Sequence, residues 1–229
     1  MATKLQIIYD VKEHLNKYSD DNEYSDRHIL YLYDLKRAKF LRQLLDDKTR
    51  NIDKILVQTL CLKFEEINKG LCGVNVGCDT VLRSINPLPQ FLQVRNRNML
   101  LTVTPSVILS KSFKIVDIES APYILDKPYS NGVYATIDNE GYVIIFSKQE
   151  EFKLIECLTV SAVFENPLEL ENFSNCCNCD TTPQSSCYSD DSLYPAPSFI
   201  IDLCRDEIIK LFTLKEQVKE DKNNNSDND

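Results

Sequence analysis

The densest group of reactive side chains in the sequence is Cys176-Cys177-Asn178-Cys179, followed by Cys187. Thiolates are good zinc ligands, and structural zinc sites take four of them, often with a C-x2-C step. Cys176 and Cys179 supply that step, Cys187 a third ligand, and Cys177 or a distant thiol a fourth. No second C-x2-C pair exists, so three readings stand open: a zinc site, reduced loop thiols, or disulfides formed in an oxidising medium. The chain has nine cysteines, an odd number at irregular spacing, which does not resemble a secreted disulfide framework. Cys61, Cys157 and Cys204 sit on strand or helix patterns and read as small core residues.

Other chemistry is thinly represented. The two histidines, His14 and His28, both precede every candidate nucleophilic cysteine and sit on helical patterns. No nucleophile signature accompanies them, which argues against a cysteine hydrolase and against an enzyme in general. Gly70-Leu-Cys-Gly73-Val-Asn-Val-Gly77 lacks the Lys-Ser/Thr ending of a phosphate loop and does not open a helix. Asp20-Asp-Asn-Glu23 lacks the glycine and bidentate glutamate of a calcium loop and reads as an acidic linker. The net charge is -9 and the isoelectric point near 4.9, so phosphate-driven binding of nucleic acid is not expected. No leader and no membrane-length apolar run is visible, which predicts a soluble protein made in a reducing cytoplasm.

The elements that would carry these residues follow from periodicity. Thr3 with Gln6 forms a capping box ahead of the stripe Leu5, Ile8, Val11, Leu15 and Tyr18. Ser25 caps a second helix that should end near Leu45. That helix carries two apolar stripes. Leu30, Tyr33, Phe40, Leu41 and Leu44 make one; Tyr31, Leu35, Ala38 and Leu45 make the other. It is either the centre of a bundle or a helix packed on its own subunit on one side and a neighbour on the other. Lys36, Arg37, Lys39 and Arg42 are spread around it and read as solvated or inter-subunit charges.

From residue 55 the pattern turns to strands: 55–67, 80–84, 100–104, 113–117 and 123–125, with a further strand over 152–164. Val133–Ile137 and Tyr142–Phe146 flank Asp138-Asn-Glu-Gly141, which predicts a hairpin whose type I turn is closed by a left-handed glycine. After Pro195 and Pro197 a last helix carries Ile201, Cys204, Ile208, Leu211 and Phe212. The expected organisation is α+β: an N-terminal helical part (1–54), an inserted antiparallel β lobe (55–166), and a Cys/Pro-rich loop (167–198). A C-terminal helix (199–214) then completes the helical part, and a polar tail (215–229) follows. Candidate interface residues are Tyr31, Leu35, Ile208 and Phe212.

The runs Ile8-Tyr-Asp-Val-Lys-Glu-His-Leu15, Ser25-Asp-Arg-His-Ile-Leu-Tyr-Leu32, Lys36-Arg-Ala-Lys-Phe-Leu-Arg42 and Gln58-Thr-Leu-Cys-Leu62 resemble virion structural proteins of crAss-like and related short-tailed bacteriophages. Gly141-Tyr-Val-Ile-Ile145, Val163-Phe-Glu-Asn-Pro167 and the helix Ile200–Leu214 are similar too. The resemblance implies a neck or ring protein of the head-to-tail junction, with an element order similar to the adaptor, or tail tubular protein A, of short-tailed phages. It implies a twelvefold ring, contact with the portal and with other ring or tail proteins, and residence in the virion neck after assembly in the host cytoplasm. DNA would pass through the ring without specific binding, which suits an acidic chain. No cofactor and no membrane contact are implied. The rival reading is a small zinc-dependent interaction module built on Cys176, Cys177, Cys179 and Cys187.

Overall fold

The computed structural model describes residues 2–16, 24–46, 52–68, 80–95, 97–105, 112–125, 132–173 and 191–223. Among them are four α-helices: α1 (Lys4–Asn16), α2 (Asp26–Leu45), α3 (Ala121–Ile124) and α4 (Ser198–Asn223). Nine strands accompany them: β1 (Gln58–Asn68), β2 (Thr80–Ser84), β3 (Gln93–Val94), β4 (Arg97–Asn98), β5 (Leu100–Pro105), β6 (Lys114–Ile115), β7 (Tyr134–Ile137), β8 (Val143–Phe146) and β9 (Cys157–Ala162). The protein is α+β, and the chain divides into two compact units. One comprises Met1–Leu56, Glu165–Leu168 and Tyr188–Asp229; the other comprises Val57–Phe164 and Glu169–Cys187.

In the helical unit both N-terminal caps form as the residue types require. The Thr3 N–H donates to Gln6 Oε1 (3.0 Å) and the Gln6 N–H to Thr3 Oγ1 (3.3 Å), a reciprocal capping box. Ser25 Oγ accepts from the His28 N–H at 3.3 Å and starts α2. The buried stripe of α1 is Lys4, Ile7, Ile8, Val11 and Leu15; Leu5, expected inside, is exposed. The stripe is rotated because Lys4 faces inward, toward the acidic group described below. Tyr18 lies outside the described residues.

The 26-residue α4 begins one residue before the expected helix and runs nine residues past its expected end at 214. The extension reads Lys-Glu-Gln-Val-Lys-Glu-Asp-Lys-Asn, and all but Val, Asp and Asn of these are strong helix formers. The sequence therefore continues the helix where only a polar tail was expected.

The β unit contains a seven-stranded sheet in the order β5-β9-β1-β2-β8-β7-β6, antiparallel except between β6 and β7. The long strand β1 changes partner along its length. Gln58 to Lys63 pair with β9, and Phe64 to Asn68 pair with β2. The two ends of the strand order approach each other: the Phe113 N–H, just before β6, donates to Val103 O of β5 at 2.8 Å. That bond covers part of two edges that would otherwise present free backbone groups.

The β7–β8 hairpin forms as expected. Gly141 sits at φ +88°, and its N–H donates to Asp138 O (3.1 Å). Asp138 Oδ1 accepts from the Glu140 and Tyr142 N–H groups at 3.0 and 2.8 Å. Stacked rings of Tyr134 and Phe146 pack with Val81, Ala121, Leu125 and Ile144 in one core cluster.

Three strand expectations are corrected. Tyr123-Ile-Leu125 belongs to α3 and the turn that follows it, because Pro122 in the first turn suits a helix start and lacks the N–H a strand would use. The 152–164 segment begins in a 3-10 helix (Glu150–Leu154) and becomes extended only over β9. Ile55–Leu56 likewise lie in a 3-10 turn ahead of β1. Cys61 and Cys157 are disulfide-bonded, not free core thiols as expected. Cys204 is free and buried.

Candidate assembly interface

The helical unit is organised around a buried polar group that includes Arg37, which was expected to be a solvated or inter-subunit charge. Arg37 is fully buried and Asp34 nearly so, both on the inward face of α2. Tyr194 OH donates to Asp34 Oδ1 at 2.6 Å, and Arg37 Nε donates to Pro195 O at 2.8 Å. The Tyr33 and Tyr194 rings meet edge to face at 6.1 Å between centroids. Tyr194 is followed by Pro195, Ala196 and Pro197, whose carbonyl accepts from the Ile200 and Ile201 N–H groups in the first turn of α4. The polar group thus fixes where α4 starts. A further tie comes from the Ala2 carbonyl, which accepts from the Tyr194 N–H at 3.0 Å.

Burial dominates the titration of these groups. It raises the Asp34 carboxyl to about 6, against the opposing effects of the Tyr194 hydroxyl, Arg37, Lys4 and the Leu168 backbone. It also raises the Tyr194 and Tyr33 phenols and pushes the Cys204 thiol up to about 12, while it lowers Arg37. Cys204 therefore stays a thiol at neutral pH and acts as a small apolar residue. The group is enclosed, so no substrate reaches it from solvent, and its role is to position helices.

On the outer side α2 presents Tyr31 and Leu35, 55% and 53% exposed, four residues apart and therefore on one face. Arg27, Lys39 and Arg42 lie on the exposed part of the same helix. Glu207 of α4 holds Lys36 at 2.7 Å and Lys39 at 3.1 Å, and the two lysines depress its carboxyl. Glu165 holds Arg42 at 2.5 Å. The expected interface set is thereby divided. Tyr31 and Leu35 are available, whereas Ile208 and Phe212 are fully buried, and Phe212 stacks on Tyr24 at 3.9 Å. Ile208 and Phe212 are corrected to core residues, since the inward stripe of α4 closes on the unit itself. Near its start α4 exposes the apolar pair Phe199 and Leu203, with Leu214 exposed further along, and α1 exposes Leu5 and Tyr9.

Sequence reading missed both pairs as interface candidates. Leu5 was instead assigned to the inward stripe of α1, whereas Tyr9 and Phe199 are apolar residues off the assigned stripes. For Asp34 and Arg37 it was a carboxylate and a guanidinium three residues apart on a helix otherwise apolar on two sides.

Cys176, Cys177, Cys179 and Cys187 lie outside the described residues. Among the described residues no group of three or more His, Cys, Asp or Glu is placed to hold a metal. His14 Nδ1 donates to the Asp10 carbonyl of its own helix at 2.8 Å, and the His28 ring lies 6.1 Å from that of Phe212. In the β unit an open cleft of about 1070 Å³ is bordered by Ile115, Asp117, Glu119, Thr136 and Asp138. Its carboxylates do not suit a phosphate ligand. Among the described residues no helix is long and apolar enough to cross a membrane.

Comparison with known proteins gives these surfaces a context. Over 225 residues the chain is 23% identical to Ring protein 2 of Bacteroides phage crAss001, a match covering 98% of this chain and 96% of the relative. Residues 6–229 match the family described as phage tail ring protein 2. With nearly its whole length matched, and helices that carry unfilled apolar pairs on a built core, the chain belongs to the phage tail ring protein 2 family, the ring-forming structural proteins of crAss-like phages.

Proposed function

We propose that the protein is a non-enzymatic subunit of the ring that joins portal to tail in a short-tailed virion. In this reading twelve copies surround the channel, the ring contacts the portal and neighbouring ring or tail proteins, and DNA passes through without specific binding. The observation that carries it is the outer face of α2. Tyr31 and Leu35 are half exposed on a helix whose inward face is already packed, in a chain matched over residues 6–229 to a ring family. A single half-exposed Leu is ordinary on a monomer, but paired apolar positions on three helices of one unit suit a subunit flanked by neighbours. The net charge of -9 supports a channel wall along which DNA slides without sticking.

Mass spectrometry of purified virions, with native mass spectrometry of the purified chain alone and mixed with its portal, tests this. A closed ring and a stoichiometric virion component are expected. A chain that remains monomeric in both preparations and is missing from particles defeats the proposal.

A further inference from the structure

We propose that the ring closes head to tail, with the outer face of α2 in one copy seated on the joint outer face of α1 and α4 in the next copy. This rests on the ring assignment above and specifies the residues that make it. Each face has an apolar centre. On α2 it is Tyr31 and Leu35; on the opposing face it is Leu5 and Tyr9 of α1 (47% and 67% exposed) with Phe199 and Leu203 of α4 (49% and 44%). The rims carry opposite charge. Around Tyr31 and Leu35 stand Arg27, Lys39 and Arg42, of which Lys39 and Arg42 share their charge with Glu207 and Glu165. Three cations against two carboxylates leave that rim positive.

The other rim holds Asp10, Asp202 and Asp206. One guanidinium ties it together: Arg205 lies 3.9 Å from Asp10, 3.3 Å from Asp202 and 3.5 Å from Asp206. Those distances place the acidic groups of α1 and α4 on a shared side and leave the rim negative.

Charge selects the geometry. A two-fold contact of α2 with α2 would oppose Arg27, Lys39 and Arg42 to their own copies. A two-fold contact of the other face would do the same with aspartates. Pairing unlike faces satisfies both rims, since complementary potentials favour one partner and like charges exclude the other. A contact between two different faces of the same chain is heterologous, and such a contact builds a ring when its rotation closes. The occupant of each face is therefore a second copy of this chain.

Two full-length variants test the pairing. Tyr31→Asp with Leu35→Asp spoils the α2 face; Phe199→Asp with Leu203→Asp spoils the other. Both sets are exposed positions, so circular dichroism and melting temperature should match the wild type. Each variant alone should lose ring formation in sedimentation velocity, with subunit association weakened at least tenfold. Mixed at equal concentration they should form one-to-one dimers and nothing larger, because the mixture holds one intact face from each.

The proposal is overturned if either variant still forms rings alone, if the mixture regains rings, or if the mixture stays monomeric. A second arm keeps the apolar residues. Arg27→Glu with Lys39→Glu, and separately Asp202→Lys with Asp206→Lys, should each block assembly, and the chain carrying all four changes should recover it. No recovery in a folded quadruple variant refutes the charge pairing. A wild type that never assembles, alone or with its portal, removes the ring assignment itself; wild-type rings with unaffected variants remove only the faces.

Discussion

Replacing Asp34 with asparagine should change how stability depends on pH, in a direction opposite to that of a salt-bridged carboxylate. Asp34 sits against the Tyr194 hydroxyl, the Arg37 guanidinium, Lys4 and the Leu168 backbone, and burial outweighs all of them. The carboxyl rises from an ordinary value of 3.8 to about 6 in the folded chain. The unfolded chain therefore releases this proton first as pH rises. Asp34's favourable contribution is whole below pH 3.8 and is lost as pH passes about 6. A shift of roughly two units at 1.36 kcal/mol per unit gives about 3 kcal/mol between the two limits.

The asparagine side chain of the Asp34→Asn variant carries no proton to release, and its amide oxygen can still accept from Tyr194. The attraction of the ionised carboxylate to Arg37 is already contained in the net shift and adds no separate term. The stability of Asp34→Asn minus that of wild type should therefore grow by about 2 kcal/mol from about pH 4 to about pH 7.5, most of the full span. Urea unfolding at several pH values measures it, at protein concentrations that hold the oligomeric state constant. A difference that stays flat across the window would show that Arg37 and Tyr194 keep the carboxylate ionised throughout. A difference that shrinks with rising pH would reverse the balance argued here.

Tyr194→Phe removes the 2.6 Å bond to Asp34 and leaves a buried carboxylate oxygen without that donor, so about 1–3 kcal/mol should be lost in chemical denaturation. Gly141→Ala places a Cβ 3.3 Å from Leu88 O at φ +88°, and should lower the melting temperature by the equivalent of about 1–2 kcal/mol. Ile208→Asp puts a charge at a position with no exposure and should prevent folding, at a cost of several kcal/mol. Leu35→Asp, on the exposed face of α2, should leave the stability read from thermal melts within about 0.5 kcal/mol of wild type.

Local chemistry made much of the fold legible. The Thr3/Gln6 box, the Ser25 cap, the end of α2 at Leu45 and the Asp138–Gly141 turn are each decided by a few adjacent residues, and all appear where their types place them. What was not legible depends on distant partners. Periodicity gave α2 two apolar stripes but could not say which would be covered, because α4 decides that from the far end of the chain. For the same reason Ile208 and Phe212 read as interface and proved to be core. Arg37 read as a solvated or inter-subunit charge because a guanidinium on a helix ordinarily is; the Pro195 carbonyl, the aromatic wall of Tyr194 and the nearby Asp34 help make its burial tolerable.

The order of synthesis gains a meaning from the 160 residues that separate Asp34 from Tyr194. α1 and α2 emerge first, then every strand of the β unit, and only afterwards the segment that covers α2. Until Tyr194 and Pro195 arrive, Tyr33 lacks the ring that packs against it and Arg37 lacks its carbonyl acceptor. On the proposed head-to-tail contact, a partly made chain holds the α2 face but not the α4 face that would meet the next copy. An arrested or clipped product that stops short of residue 198 therefore lacks one of the two surfaces that continue a ring. On that contact the long excursion through the β unit would make completeness of the chain a condition of entry into the assembly, enforced by topology alone.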